Sequence, residues 1–160
     1  MNLCMIGTGY VGLVSGTCFA DLGNKVFCVD KNKTKIEKLN SGISPIYEPG
    51  LNELIKKNQS AKRIIFTTDL KKAISKSQLI FICVGTPSKK KLNDVDLSFV
   101  FKAVKEIAKS VKNRKIIITK STVPVGTGDI IEKMFRKLKR KNFEIVSNPE
   151  FLREGEAIRD

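Results

Sequence analysis

Met5-Ile6-Gly7-Thr8-Gly9-Tyr10-Val11-Gly12 decides the reading of this sequence. The apolar run Leu3-Cys4-Met5-Ile6 precedes it. Leu13-Val14-Ser15-Gly16-Thr17-Cys18-Phe19-Ala20, which reads as a buried helix, follows it. The glycines therefore fall where a strand turns into a helix, the context in which a G-x-G-x-x-G pattern carries weight. Gly7 permits the tight turn, Gly9 lets a pyrophosphate approach a backbone without a side chain, and Gly12 lets the helix pack closely on the strand. The unpaired N–H groups and positive end of that helix then face the phosphates.

Lys25-Val26-Phe27-Cys28-Val29 reads as the next strand, with Asp30 at its end. An acidic residue about 20 positions beyond the glycines is placed to accept hydrogen bonds from the adenosine ribose. It also repels a 2′-phosphate, so NAD is favoured over NADP, a preference that Lys31 softens. The plainer reading of these residues is a glycine-rich turn with a surface aspartate. Strand, helix, second strand and acid in register favour the cofactor site.

The 160 residues, 41% of them apolar, suffice for one domain with a core. No apolar run is long enough to span a bilayer, and no charged-then-apolar leader with a cleavage site is present. The expectation is a soluble, cytoplasmic protein with no membrane partner. Cys4, Cys18, Cys28 and Cys83 lie in apolar stretches without a CxxC pair, so they read as small core residues. There is no histidine, which removes the commonest general base and the commonest metal ligand. No metal is expected.

Thirty Lys and Arg against 16 Asp and Glu give a net charge of +14. Basic runs such as Lys89-Lys90-Lys91 and Arg136-Lys137-Leu138-Lys139-Arg140-Lys141 raise the question of nucleic acid. Aromatics are not interleaved with the bases, and no nucleic-acid motif occurs. Solvated helix faces and a mobile loop account better for them, and no nucleic-acid partner is expected. A positive surface also suits anionic ligands such as dinucleotides and sugar nucleotides.

Beyond Asp30 the pattern predicts a helix capped by Asn32, with Ile36 and Leu39 buried. A structured loop, Ile43-Ser44-Pro45-Ile46-Tyr47-Glu48-Pro49-Gly50, leads to a short helix over 51–57. A strand over 64–67 and a helix capped by Asp69 follow. Gln78-Leu79-Ile80-Phe81-Ile82-Cys83-Val84 is continuously apolar, as a parallel strand buried on both faces should be. The basic stretch 88–94 reads as a mobile loop. Asp96 or Ser98 opens a helix with Phe99, Val100, Ala103, Val104, Ile107 and Ala108 at helical spacing. A strand over 115–119, a helix carrying Ile130, Ile131, Met134, Phe135 and Leu138, and a strand over 143–146 complete the alternation. It predicts an α/β fold: a Rossmann-type, doubly wound parallel sheet of six strands in the order 3-2-1-4-5-6, helices on both faces.

Ligands of such a sheet bind beyond the carboxyl ends of its strands. That rule selects the glycine turn, Asp30, Gly85-Thr86-Pro87, Lys120-Ser121-Thr122 and the polar segment around Glu150 and Glu154. Thr86 and Thr122 can serve a ligand or merely stabilise their turns. Glu150 and Glu154 are spaced to share a helix face, which alone describes a solvated pair.

Five stretches together resemble the UDP-glucose/GDP-mannose dehydrogenase family. They are Gly7-Thr8-Gly9-Tyr10-Val11-Gly12-Leu13, Ser44-Pro45-Ile46-Tyr47-Glu48-Pro49-Gly50-Leu51, Val84-Gly85-Thr86-Pro87, Lys120-Ser121-Thr122-Val123-Pro124-Val125-Gly126-Thr127 and Asn148-Pro149-Glu150-Phe151-Leu152-Arg153-Glu154-Gly155. They stand in the family's order and span the chain. Tyr47 and the Ser-Pro-Ile lead-in are most similar to the members that act on UDP-glucose, while members acting on GDP-mannose or UDP-N-acetylmannosamine share most motifs. The resemblance implies oxidation of a sugar C6 alcohol to a carboxylate by two hydride transfers to NAD. It implies NAD contacts at Val11, Asp30, Lys35, Thr86, Thr122 and Glu154, beside Gly7, Gly9, Tyr10 and Gly12. By itself Lys35 also reads as a surface helix lysine. Glu150, Phe151, Leu152 and Arg153 match the start of the sugar-nucleotide site. Thr122 and Glu154 match the residues that position water on a thioester intermediate, as catalytic groups.

The family's catalytic cysteine and lysine lie beyond position 160, after a central helix and in a second domain. Residues 1–160 are thus expected to form an NAD-binding domain, with 148–160 opening the substrate segment. By itself the chain is expected to bind NAD without completing the oxidation. A homodimer, a separately encoded second half and a non-catalytic nucleotide-binding module remain open.

Overall fold

A computed structural model describes residues 1–89, 94–139 and 141–159. Six strands form one parallel sheet: β1 (Asn2–Ile6), β2 (Lys25–Val29), β3 (Ile64–Thr67), β4 (Leu79–Ile82), β7 (Lys115–Thr119) and β8 (Phe143–Ser147). Their order is β3-β2-β1-β4-β7-β8, which in chain order of the six is the predicted 3-2-1-4-5-6. The crossovers run through α1 (Tyr10–Asp21), α2 (Lys33–Asn40), α3 (Leu51–Ser60), α4 (Leu70–Lys76), α5 (Ser98–Ser110) and α6 (Thr127–Lys137).

Alternate residues of each strand feed opposite faces, as a period of two requires. Leu3 and Met5 join Leu13, Leu39 and Ile55 in one core; Cys4 and Ile6 join Ile74, Val104 and Phe135 in the other. Thus α1, α2 and α3 cover one face and α4, α5 and α6 the other. Burial on both faces is why the central strands read as unbroken apolar runs. The cysteines follow the same rule. Cys4, Cys28 and Cys83 are buried and Cys18 is half-buried.

The predicted caps hold. Asn32 accepts from the N–H of Lys35 and Asp69 from that of Lys72, each at 3.0 Å. Four local readings need correction. Helix α3 runs to Ser60, not 57, because Ile55 and Asn58 keep a buried stripe facing the core. In α5 the N-cap is Leu97, with Asp96 accepting from the Ser98 N–H at 2.9 Å. Phe99 and Ile130, expected on buried faces, are 43% and 46% exposed. The flanks of the expected mobile loop pair as a short antiparallel ribbon, β5 (Ser88–Lys89) with β6 (Asp94–Val95). Residues 90–93 between them, and residues 140 and 160, lie outside the described residues.

The tightest packing lies at the glycine turn. Gly7 has φ +101°, and a Cβ there would stand 2.6 Å from the Cys83 carbonyl oxygen. A Cβ on Gly12 would stand 2.0 Å from the Gly7 carbonyl oxygen and 2.9 Å from the Cys83 Cβ. Backbone cannot yield as a side-chain end can. Gly12→Ala is therefore expected to cost more than about 3 kcal/mol. Denaturant unfolding would show it as a collapse of the midpoint or loss of cooperative unfolding, and a near-native midpoint would contradict the packing.

Candidate functional site: a dinucleotide cleft at the carboxyl edge

The first turn of α1 leaves the N–H groups of Tyr10, Val11 and Gly12 without intrahelical acceptors. Gly9, which precedes them, lines a cleft of about 480 Å³ together with Ile6, Gly7, Val29, Asp30 and Lys35. Cys83, Val84 and Gly85 form its floor, and Lys31, Phe99 and Lys102 stand at its far end. Gly9 is the N-cap, in extended conformation, and a Cβ on it would meet nothing within 4 Å. The space above Gly9 is open for a phosphate group.

Asp30 is embedded. Its Oδ2 accepts from the Thr8 hydroxyl at 2.8 Å, the Thr8 N–H at 3.1 Å and Lys35 Nζ at 3.3 Å. Its Oδ1 accepts from the Asn32 N–H at 3.0 Å. Burial works to raise the pKa, and the hydrogen bonds from Asn32 and Thr8 with the Lys35 charge outweigh it, so the carboxyl lies below its ordinary value. Thr8, fully buried, was not singled out from sequence; its place inside the glycine motif at a strand end was the available signal.

The structure divides the other predicted residues into two groups. Thr86 and Thr122 follow the ends of β4 and β7 but are not among the cleft-lining residues. Between those strands Ser121 is the anchor, its hydroxyl donating to the Val84 carbonyl at 2.6 Å. The segment from Glu150 to Glu154 lies beyond β8. Glu150 accepts from the Leu152 N–H at 2.6 Å, Leu152 packs on the core, Phe151 is 88% exposed, and Arg153 and Glu154 are exposed. Tyr10 brings this segment to α1. Its hydroxyl donates to Glu48 at 2.5 Å, the Arg153 carbonyl lies 3.2 Å from the same oxygen, and the Gly155 N–H donates to it at 3.3 Å. Desolvation, with the hydrogen bond to Glu48, pushes the Tyr10 phenol up to about 12. Glu48 is held below its ordinary value by the hydrogen bond from Tyr10, then by N–H groups of 155, 158 and 157.

No described cysteine offers a thiolate. Burial raises all four thiols, Cys83 to about 12. A second, basic groove runs between α4 and α5. Lys71, Lys72, Lys109, Lys112 and Lys115 line it, with Glu106. Among the described residues no helix is long and apolar enough to cross a membrane.

A parallel six-stranded sheet with an open glycine turn and a clamped acid at the next strand end defines a dinucleotide-binding domain of the dehydrogenase type. The family model described as "UDP-glucose/GDP-mannose dehydrogenase family, NAD binding domain" matches residues 1–160, and the chain belongs to that family. It is 52% identical over 161 residues to the UDP-glucose 6-dehydrogenase of Rhizobium meliloti, covering 100% of this chain and 37% of that protein. It is 51% identical to UDP-glucose 6-dehydrogenase TuaD of Bacillus subtilis, covering 99% and 35%. Among solved structures, a ternary complex of GDP-mannose dehydrogenase from Pseudomonas aeruginosa superposes with TM-score 0.96 at 39% identity, covering 100% of this chain and 38% of that one. A UDP-glucose dehydrogenase from Pyrobaculum islandicum gives 0.94 at 35%, covering 99% and 38%. The chain thus spans little more than a third of the length of these relatives.

The charge states around the cleft fix its pH dependence. Asp30 in the cleft and Glu48 away from it both have depressed values, so their contributions are present above the ordinary carboxylate range and are lost as pH falls through the depressed values. Tyr10 stays protonated well past neutrality. With no histidine in the chain, calorimetric NAD affinity is expected to vary less than about threefold between about pH 6 and about pH 8.5. A tenfold fall on going to pH 6 would show that another group titrates in the site.

Proposed function

We propose that this chain is the cofactor-binding part of an NAD-dependent sugar-nucleotide 6-dehydrogenase, with UDP-glucose as the substrate of the whole enzyme. The observation that carries the reading is that Gly9, the N-cap of α1, lines the same cleft as Asp30. The pyrophosphate takes the free N–H groups at 10–12 and the positive helix end. The adenosine ribose takes Asp30. An ionised carboxylate has about four acceptor sites, and Oδ2 already has three donors. A ribose hydroxyl therefore donates to Oδ1, and Lys35, held beside Asp30, donates to the neighbouring hydroxyl oxygen. Asp30 opposes a 2′-phosphate, which supports NAD over NADP.

NAD supplies the hydride acceptor. Thr86, Thr122 and Glu154 face it from the ends of β4 and β7 and from the last segment. Glu154 orients and deprotonates the water that releases the acid product, with Thr122 supplying a hydrogen bond. Glu150, Phe151, Leu152 and Arg153 open the sugar-nucleotide site. The raised thiols make Cys4, Cys18, Cys28 and Cys83 unsuited to thioester chemistry, so the nucleophile comes from outside these 160 residues. That covalent step is supplied by a further segment or a partner chain.

The test is an NAD titration of the purified chain beside Gly9→Ala. The new methyl meets no protein atom, so unfolding free energy should stay within about 0.5 kcal/mol of the parent. It occupies the phosphate's approach, so NAD affinity should fall at least about tenfold, or about 1.4 kcal/mol. Equal NAD affinity in the two proteins would remove the glycine turn from the binding site.

A further inference from the structure

Glu48 is 6% exposed and sits in the loop between α2 and α3, away from the dinucleotide cleft. Its carboxylate joins three separate pieces of chain. Oε2 accepts from the Tyr10 hydroxyl at 2.5 Å and from the Gly155 N–H at 2.8 Å. Oε1 accepts from the Ile158 N–H at 3.4 Å. Leu152, Ala157 and Ile158 pack on the core around this clasp, with Tyr10 and Ile46. The loop itself is braced. The Ser44 hydroxyl donates to the Ile46 carbonyl at 2.8 Å, and Asn52 accepts from the Ser44 N–H at 2.8 Å.

Tyr10 is the link that gives this cluster a functional direction. Its backbone N–H is one of the free donors of the first turn of α1, and its hydroxyl reaches Glu48 and Gly155. One residue thus touches both the anion-binding end of the helix and the segment that carries Glu154. Packing alone leaves a short irregular segment several ways to lie on a sheet edge. Hydrogen bonds from its N–H groups to one buried carboxylate leave it one.

We propose that Glu48 is a positioning residue: it holds the 153–158 segment against the start of α1, so that Glu154 is presented to the cofactor and cofactor binding further orders the sugar-nucleotide segment. The proposal rests on the cofactor reading above and extends it to a residue that makes no contact with the cleft.

Hydrogen exchange of the whole chain, with and without NAD, tests it. In Glu48→Ala the amides of 153–158 should exchange about tenfold faster or more, while those of β1, β2 and β4 keep their protection. Glu48→Gln retains one acceptor oxygen and should recover part of the protection. NAD should slow exchange over 153–158 in the parent. In Tyr10→Phe, which keeps the backbone donor but cuts the link to Glu48, NAD should leave that exchange unchanged. Unaltered exchange over 153–158 in Glu48→Ala would overturn the positioning role, as would equal acceleration through the central strands. An NAD effect that survives Tyr10→Phe would overturn the coupling. Failure of NAD to bind the parent would count against the cofactor reading instead, and the ligand-free comparison would still decide what Glu48 does.

Discussion

The structure depends on one backbone-on-backbone contact. Helix α1 meets the turn after β1 so closely that no Cβ fits at Gly12, and Gly7 meets the Cys83 carbonyl across to the end of β4. The contact aims the helix start at the carboxyl edge of the sheet between β2 and β4. From that placement follow the free N–H groups, the open space over Gly9 and the proximity of Asp30. A looser helix would bury much the same apolar area but would not aim its positive end.

Charge then sorts the surface. The chain is strongly basic, yet the cofactor cleft is built around a half-buried acid whose oxygens are largely taken by Thr8, Asn32 and Lys35. These bonds fix the carboxylate before any ligand arrives, which lowers the ordering cost of binding. Other lysines gather in a groove between α4 and α5: Lys71 and Lys72 in the first turn of α4, Lys109 in the last turn of α5, Lys112 just beyond it and Lys115 at the start of β7. Lys109 and Lys112 there oppose the negative end of α5, a structural use of positive charge. Lys115 shows it most clearly: buried at the start of β7, it donates to the Ser77 carbonyl at the end of α4, and desolvation lowers its pKa.

Much of the fold was legible because strand burial, glycine spacing and helix caps are local signals. Gln78 through Val84 could hardly be anything but a central parallel strand, and Asn32 and Asp69 cap as their types prescribe. The register at the glycine turn was readable too, because each glycine answers a separate steric demand. What escaped was long-range. Glu48 is an ordinary loop glutamate in sequence, and only the fold brings Tyr10, Gly155 and Ile158 to it. Phe99 looked like a core residue at helical spacing, but its ring lines the cleft, under the Lys31 ammonium at 5.4 Å. Gly16 also went unread: its missing Cβ would stand 2.9 Å from Cys28 Sγ, so α1 needs a second close approach one turn on. Thr86 and Thr122 were chosen by strand-end position, and the described cleft stops short of both.

The most direct measurement is an amide chemical-shift map of the 160-residue chain during an NAD titration. The account predicts perturbations concentrated at residues 7–12, at Asp30 and at 83–86, with smaller changes carried to 153–158 and none at the lysines of the groove between α4 and α5. Perturbations centred on the groove lined by Lys71, Lys112 and Lys115, with the glycine turn silent, would contradict it.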